Sequence, residues 1–237
     1  MEPLTRKQQY EVERAEKRKT FALAARKRTF KRFSLWAGVL AIMIGGVFGL
    51  LKSTNISAPT SLAQVDSVTS EDHVKGNPNS EIILVEYSDF ECPACAAYYP
   101  LLKDLLEEYG DSIKFVYRHF PLRQHIGAKP ASYAAEAAGK QEKFWEMHDM
   151  IFENQGTWAA TKNPEKFFLG YAQVLGLNLE QYEKDVASSA INSKVEKDYQ
   201  SGLRAGVSST PSLFLNGSRI QPRSYQEFRS FIDNANR

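Results

Sequence analysis

Two cysteines, Cys92 and Cys95, are the side chains of this sequence best suited to covalent chemistry. They are the only cysteines among 237 residues, and they stand three positions apart in the segment "SDFECPACAAYYP". A pair of this kind can form a structural cross-link, supply half of a metal site, or exchange electrons as a dithiol and a disulfide. Each use makes a different demand on the rest of the chain.

A metal site is disfavoured because tetrahedral zinc needs four ligands, and structural zinc sites usually combine two such cysteine pairs. The histidines His119, His125 and His148 show no spacing that would complete a ligand set. A purely structural disulfide is also disfavoured, since a cross-link between residues so close in sequence removes little entropy from the unfolded chain. The sequence therefore favours redox chemistry, and we predict no bound metal and no other cofactor.

The residues around the pair favour an activated thiol. Pro93 suits the first turn of a helix, where its missing N–H removes no hydrogen bond. Cys92 would then lie at the helix N-terminus, where unpaired N–H groups and the helix dipole stabilise a thiolate. We expect Cys92 to be exposed and Cys95 to be shielded with the apolar face of the helix. One accessible nucleophile and one shielded partner suit thiol–disulfide exchange.

The elements that would position the pair predict an α/β fold. "EIILVEYS" is a short apolar run typical of a buried strand, and the helix after it should close at Gly110. "SIKFVYRHF" is the next strand, so the two strands are expected to be parallel across a helical crossover. Residues 127–205 are helical in period. "SLFL" and "SRIQ" then flank Asn216–Gly217, which is a strong hairpin signal, and "SYQEFRSFIDNA" is predicted as a final helix.

The N-terminal part of the chain has a different composition. Residues 1–33 carry 11 Lys/Arg against four Glu, whereas the rest carries 19 basic and 24 acidic side chains. Residues 34–51 contain no charged side chain, and at about 1.5 Å per residue they span about 26 Å, a little less than a membrane core. Residues 52–71 have linker composition. We predict a basic cytoplasmic segment, a transmembrane helix and a linker, followed by an outward-facing domain over 72–237.

Two alternatives bear on the predicted anchor. The sequence "SLA" at 61–63 offers a cleavage site, although the apolar run is longer than the roughly 7–15 residues usual in a signal peptide. The basic segment also suggests contact with nucleic acid, but it lacks an aromatic stacking pattern, and anionic lipid headgroups explain it better. We therefore expect a single-pass protein of a bacterial-type cell membrane with no nucleic-acid partner.

Several motifs together resemble the DsbA-like branch of the thioredoxin superfamily. They are "EYSDFECPAC", the strand–helix–strand start, the helical block with "FWEMHDMIFENQ", and "GVSSTPSLFLNG". The similarity covers residues 72–237. It implies a thioredoxin-like fold, in the order β-α-β and then β-β-α, with a helical subdomain inserted at about 127–205.

The resemblance also implies roles for individual residues. Cys92 would form a mixed disulfide with the substrate and Cys95 would resolve it, so that the redox disulfide is Cys92–Cys95. Pro211 would be the cis-proline beside the dithiol. Thr210 and Pro93 are the predicted substrate-binding residues, with the Thr210 backbone pairing with an extended substrate segment.

Glu86 is a further candidate for the catalytic site. It ends an apolar strand six residues before Cys92, at a position where the family carries a buried acid. Burial would raise the pKa of Glu86 and allow it to relay protons to Cys95. Asp89 and Glu91 are nearer in sequence, but we expect both to be exposed to solvent.

The resulting hypothesis is a membrane-tethered oxidoreductase that forms or rearranges disulfides in exported proteins. By analogy, a quinone-linked membrane protein would reoxidise it. Ala94 stands where the DsbA archetype has His, and without that imidazole we expect a less oxidising disulfide. Two alternatives stay open: an outward-facing reductase, for instance in cytochrome maturation, and a non-redox peptide-binding chaperone or scaffold on the same fold.

Overall fold

The computed structural model describes Met43 and residues 65–237. The predicted basic segment and the predicted transmembrane helix at 34–51 lie outside the described residues, apart from Met43. In the described part of the chain, no helix combines the length and the apolar character needed to cross a membrane. The end of the predicted linker is described, and its residues Asp66 and Ser67 accept hydrogen bonds from the buried guanidinium of Arg118.

A five-stranded sheet forms the centre of the domain, with the strand order β1-β3-β2-β4-β5. Strands β2 and β3 are parallel, and the other neighbouring pairs are antiparallel. The strands are β1 (His73–Gly76), β2 (Ile83–Ser88), β3 (Lys114–His119), β4 (Ser212–Leu215) and β5 (Ser218–Ile220). The four strands expected from the sequence are confirmed. Strand β1 was not expected, because it is short and only half-buried, with no apolar run to mark it.

Eight helices of the described residues surround this sheet. They are α1 (Pro93–Tyr109), α2 (Ala128–Gly139), α3 (Phe144–Glu153), α4 (Gln155–Trp158), α5 (Glu165–Val174), α6 (Leu179–Val186), α7 (Ser189–Arg204) and α8 (Tyr225–Ala235). Helices α2 to α7 form one block between β3 and β4, as the periodicity indicated. The order β-α-β, helical block and β-β-α is therefore present, with β1 added at the edge of the sheet.

Local sequence signals account for where the main elements begin and end. Helix α1 starts with Pro93 and is followed by Gly110, and its apolar face buries Cys95, Leu102 and Leu105. The turn between β4 and β5 consists of Asn216 and Gly217, with φ angles of 47° and 78°. These positive angles suit the twist of a two-residue hairpin, which is why Asn-Gly is favoured there.

Two apolar clusters cover the two faces of the sheet, because successive side chains of a strand point to opposite faces. Leu84 of β2 joins the cluster beneath α1 and the helical block, whereas Val85 and Tyr87 join the cluster on the other face. Helix α7 packs on this second face. It approaches closely because Gly202 has no side chain, and a Cβ there would lie 2.5 Å from the ring of Phe120.

Candidate active site

Cys92 and Cys95 lie at the start of α1 as free thiols. Cys92 is the N-cap residue in an extended conformation, with Pro93 as the first helical residue. Cys95 is fully buried, whereas 7% of Cys92 is exposed. Cys92 is therefore more covered than the sequence suggested, although the side chains of Pro93 and Ala94 beside it are exposed.

The surroundings of Cys92 favour its thiolate. A hydrogen bond with the Cys95 thiol lowers the pKa of Cys92 most, burial opposes this effect, and the backbone N–H groups of Cys95 and Ala94 lower it further, to about 5. These N–H groups are the unpaired amides of the first helical turn. At neutral pH, Cys92 is therefore ionised in the reduced protein.

Cys95 has the opposite tendency. Burial raises its pKa above the usual range, and the hydrogen bond to Cys92 and the charge of Glu86 raise it further. The backbone N–H of Asp89 donates to its sulfur at 3.5 Å. The two thiols thus differ in protonation: a thiolate lies at the helix start and a neutral thiol lies beneath it, so Cys95 must lose a proton before it can attack a disulfide.

Glu86 lies on β2, and only 2% of it is exposed. Burial raises the pKa of Glu86 to about 7; the nearby Ser88 side chain opposes this shift, and the charge of Cys92 adds to it. Glu86 and Cys95 line the same small cavity. A carboxyl group with a pKa near neutrality can both accept and donate a proton at physiological pH. The expected burial of Glu86 is confirmed, while its role in catalysis stays a prediction.

The turn before β4 covers the dithiol. The Thr210–Pro211 peptide bond is cis, as the resemblance implied. The sulfur of Cys92 lies 3.5 Å from the carbonyl oxygen of Thr210, so two segments 118 residues apart in sequence meet here. Thr210 is buried and Pro211 is half-buried. Their predicted contacts with substrate stay predictions.

The expectation that Asp89 is exposed is wrong, because its carboxylate is buried between the loops that follow β2 and β3. One carboxylate oxygen accepts from the N–H of Glu91 at 2.7 Å. The other accepts from the N–H of Leu122 and pairs with His125 Nδ1, both at 2.8 Å. Asp89 therefore connects the segment before Cys92 to the loop after β3, which no local sequence pattern indicates. Glu91 is half-buried and not fully exposed.

Gln155 also belongs to the site and was missed from the sequence. Its side-chain Nε2 donates to the carbonyl oxygens of Phe90 at 2.7 Å and Cys92 at 2.9 Å. Helix α4 of the helical block thereby fixes the backbone that carries the reactive thiol. A glutamine at the first position of a four-residue helix gives no sequence signal that marks it as part of the site.

A second cluster of ionisable side chains lies at β1, β3, α2 and α7, and we call it the Glu136 cluster. It comprises His73, His119, Glu136, Lys194 and Asp198. Donor atoms of His119, Glu136 and Asp198 lie within 4.8 Å of one another, a spacing that could suit a metal ion. However, Lys194 Nζ lies 2.7 Å from Asp198 and 3.7 Å from Glu136. Because this ammonium group already compensates the carboxylates, the donor set does not favour a metal ion.

Sequence comparison places this site in a known family. The family model described as "Thioredoxin" matches residues 68–234. The Na(+)/H(+) antiporter NhaA 1 of Mycolicibacterium gilvum is 35% identical over 192 residues, which are 78% of this chain and 30% of that protein. The NhaA 1 protein of Salinispora arenicola is 38% identical over 149 residues, or 62% of this chain and 22% of that protein. The chain thus spans less than a third of the length of these relatives.

Solved structures share the fold. BdbD from Bacillus subtilis, in its oxidised form, superposes with a TM-score of 0.62 at 22% identity, covering 72% of this chain and 96% of its own. DsbA2 from Pseudomonas aeruginosa gives a TM-score of 0.57 at 25% identity, covering 72% and 97%. The thiol-disulfide exchange protein alpha-DsbA2 from Wolbachia pipientis gives 0.61 at 21% identity, covering 69% and 87%. The chain therefore belongs to the thioredoxin family, with the fold of DsbA-type thiol–disulfide oxidoreductases.

Proposed function

We propose that this protein is a membrane-tethered thiol–disulfide oxidoreductase that forms or rearranges disulfides in exported proteins. The observation that carries the proposal is the unequal setting of the two thiols: Cys92 lies at the N-cap of α1, 3.5 Å from the carbonyl oxygen of Thr210, whereas Cys95 is fully buried. Cys92 has a pKa of about 5, and burial raises the pKa of Cys95. A structural cross-link requires no such difference, whereas a thiol that attacks and a thiol that resolves do.

In the oxidising direction, a substrate thiolate attacks the Cys92 sulfur of the Cys92–Cys95 disulfide. The bond between the two cysteine sulfurs breaks, its electron pair stays on Cys95, and Glu86 supplies the proton that Cys95 then binds. A second substrate thiolate attacks the substrate sulfur of the mixed disulfide and releases Cys92 as a thiolate. Two electrons have then moved from the substrate dithiol to the cysteine pair.

The low pKa of Cys92 supports this direction, because a stable thiolate is a good leaving group and stabilises the reduced form of the pair. Ala94 in place of an imidazole is the observation that favours the alternative, an outward-facing reductase. The two activities differ in the reduction potential of the dithiol, and that quantity separates them.

The membrane location is part of the proposal and is supported by the uncharged run at 34–51 with its basic flank. The sequence relatives are named as ion antiporters, and antiport takes place across a membrane. Under this proposal the dithiol faces outward, where oxidation is possible. A quinone-linked membrane protein is the proposed oxidant of the reduced pair.

The test is the reduction potential of the full-length protein, equilibrated in glutathione or dithiothreitol buffers and read by alkylation of the free thiols. A value above about −200 mV supports an oxidase or isomerase, and one below about −270 mV makes the protein a reductase. Cys92→Ser should abolish turnover of a reduced substrate without unfolding the domain. Turnover that survives in Cys92→Ser would overturn the proposed activity altogether.

A further inference from the structure

A small cavity lies directly beneath the inner thiol. Its volume is about 20 Å³, and a buried water molecule needs about 10–15 Å³ measured in the same way. Cys95 and Glu86 form part of its wall, and so do His148 and Asp149 of α3. Apolar and aromatic side chains complete most of the rest. The cavity therefore has room for one water molecule in contact with two groups of the redox site.

His148 is the group in this wall whose bonding is incomplete. Its Nδ1 atom hydrogen-bonds with Asp149 Oδ1 at 2.8 Å. Its Nε2 atom, on the other side of the ring, is buried and has no hydrogen-bond partner among the described residues. An unpaired buried polar atom costs about 1–3 kcal/mol. A water molecule in the cavity would satisfy Nε2, because buried waters bind where polar groups lack partners.

The pair formed by His148 and Asp149 reaches from this cavity to solvent. The Asp149 side chain is 28% exposed and lies 3.6 Å from Lys75 Nζ, whereas His148 is buried. Glu86 and Cys95 are also buried, so protons that they exchange with solvent need an intermediate carrier. Imidazole can carry a proton because one ring nitrogen accepts a proton while the other ring nitrogen releases one.

We propose that His148 and Asp149 form the proton exit of Glu86, with one water molecule in the cavity linking the Glu86 carboxyl to His148 Nε2. The inference rests on the thiol–disulfide exchange proposed above. When Cys95 attacks a mixed disulfide, a sulfur–sulfur bond forms to Cys92, and the substrate sulfur leaves with the electron pair. The Cys95 proton passes to Glu86, then through the water to His148 Nε2, while the Nδ1 proton leaves through Asp149. The reverse sequence supplies a proton when Cys95 is the leaving group.

The charge around His148 suits this role. Burial lowers the pKa of His148, and the hydrogen bond with Asp149 opposes that effect, so the ring is neutral at physiological pH and can accept a proton. The other titratable groups that face His148 are Lys75 from β1, Tyr117 and His119 from β3, and Tyr99 and Lys103 from α1. The charge of Lys75 disfavours a positive charge on the ring, so a proton that reaches His148 is passed on.

The test separates the two thiols in time. Reduced full-length protein is mixed with 5,5′-dithiobis(2-nitrobenzoate), and the coloured thiolate is followed by absorbance. Attack by Cys92 releases the first thiolate, and attack by Cys95 on the resulting mixed disulfide releases the second. In His148→Phe we expect the second release to slow by at least about tenfold, while the first keeps its wild-type rate. Asp149→Asn should also slow only the second release.

His73→Gln is the matched control, because it removes a histidine that is half-buried and does not line the cavity. It should leave both releases unchanged. If the second release in His148→Phe stays within about twofold of the wild type, the proton route is wrong. If the wild type shows no second release, or Cys95→Ser still shows one, the proposed exchange itself fails. Failure of the proton route can thus be distinguished from failure of the thiol–disulfide exchange on which it rests.

An independent test needs no activity. A crystal structure of the full chain that shows ordered solvent should contain a water molecule within hydrogen-bond distance of His148 Nε2 and the Glu86 carboxyl. An empty cavity would overturn the route as stated. In His148→Phe the same water should be absent or displaced, because the polar partner on that side is gone.

Discussion

Two buried glutamates make opposite use of the protein interior. Glu86 is 2% exposed and Glu136 is 6% exposed. Burial raises the pKa of Glu86 to about 7. Burial also acts to raise the pKa of Glu136, but hydrogen bonds with His119 and His73 outweigh it and hold that pKa well below its usual range. Both carboxyl groups are shielded from water, so their neighbouring groups decide whether the pKa is raised or lowered.

The difference lies in the basic side chains that each carboxyl contacts. Within residues 65–237, no Lys, Arg or His forms an ion pair with Glu86, and the nearby Ser88 only partly opposes the effect of burial on its pKa. Glu136 contacts two histidines at 2.9 Å and lies near Lys194. Its cluster holds β1, β3, α2 and α7 together. Glu86 is thus suited to moving a proton, and Glu136 to holding a charge that joins four elements.

The largest effect is expected from replacing the carboxyl group of Glu86, which can bind and release a proton, with an amide that cannot. In Glu86→Gln the release of the second thiolate, which depends on Cys95, should slow by about 10²–10⁴-fold, because general acid–base catalysis typically contributes this much. The absorbance assay described for His148 measures it directly. The release that depends on Cys92 should change little, and a variant that slows both releases equally would contradict the assignment.

The matched change in the other cluster, Glu136→Gln, should act on stability. It removes the charge that faces His73, His119 and Lys194, and breaking a buried ion pair by removing one partner costs about 3–5 kcal/mol. Urea denaturation at neutral pH measures the loss. Thiol exchange by the folded fraction should be unaffected. A loss below about 1 kcal/mol would show that the cluster contributes no more than a surface ion pair.

The two carboxyl groups should also differ in how stability depends on pH. Glu86 binds its proton more tightly in the folded protein, so its contribution is complete below about pH 4.5 and declines as pH rises to about 7, by about 3 kcal/mol. Glu136 acts with the opposite sign: its contribution is present above pH 4.5 and is lost on acidification below it.

The measurement is the difference in unfolding free energy between Glu86→Gln and the wild type, followed by urea denaturation of the reduced proteins. Glu86→Gln should gain stability relative to the wild type between about pH 4.5 and 7. The lowered pKa of Cys92 adds a slope of the opposite sign in both proteins and largely cancels in the difference. A flat difference would show that Glu86 titrates normally.

The smallest effect is expected at a helix end outside both clusters. Ser224 caps α8, and its hydroxyl accepts from the N–H of Glu227 at 3.2 Å. Ser224→Ala should cost about 1 kcal/mol of stability, as is typical for the loss of an N-cap. It should alter neither release in the thiol assay. It therefore provides the baseline against which the effects of the two glutamate substitutions are judged.

The sequence predicts one of these two regions far better than the other. Cys92, Pro93 and Cys95 stand together, so local spacing is enough to group them. Glu86 precedes them on the same strand–helix unit, at a position that the family resemblance marks. Asn216 and Gly217 likewise predict their own turn. Such features depend on conformations that a few neighbouring residues determine.

The Glu136 cluster depends on contacts across the fold and could not be predicted. Glu136 meets His73, 63 residues away, and His119, 17 residues away, and this requires β1, which carries no strand pattern. The burial of Asp89 and the contacts of Gln155 could not be predicted for the same reason. Each has partners on a distant segment, Leu122 and His125 for Asp89 and the backbone of Phe90 and Cys92 for Gln155. A polar side chain on the surface would give the same sequence signal.

The sheet ends on both sides in a short strand. Strand β1 has 4 residues and β5 has 3, and an edge strand is where a foreign chain can add by backbone hydrogen bonding. Under the proposed function, this domain repeatedly holds unfolded chains that are themselves prone to aggregate. Edges this short offer a visiting chain few positions to pair with. Under that proposal, the short edges favour the release of substrate chains and disfavour a mixed aggregate growing from the domain.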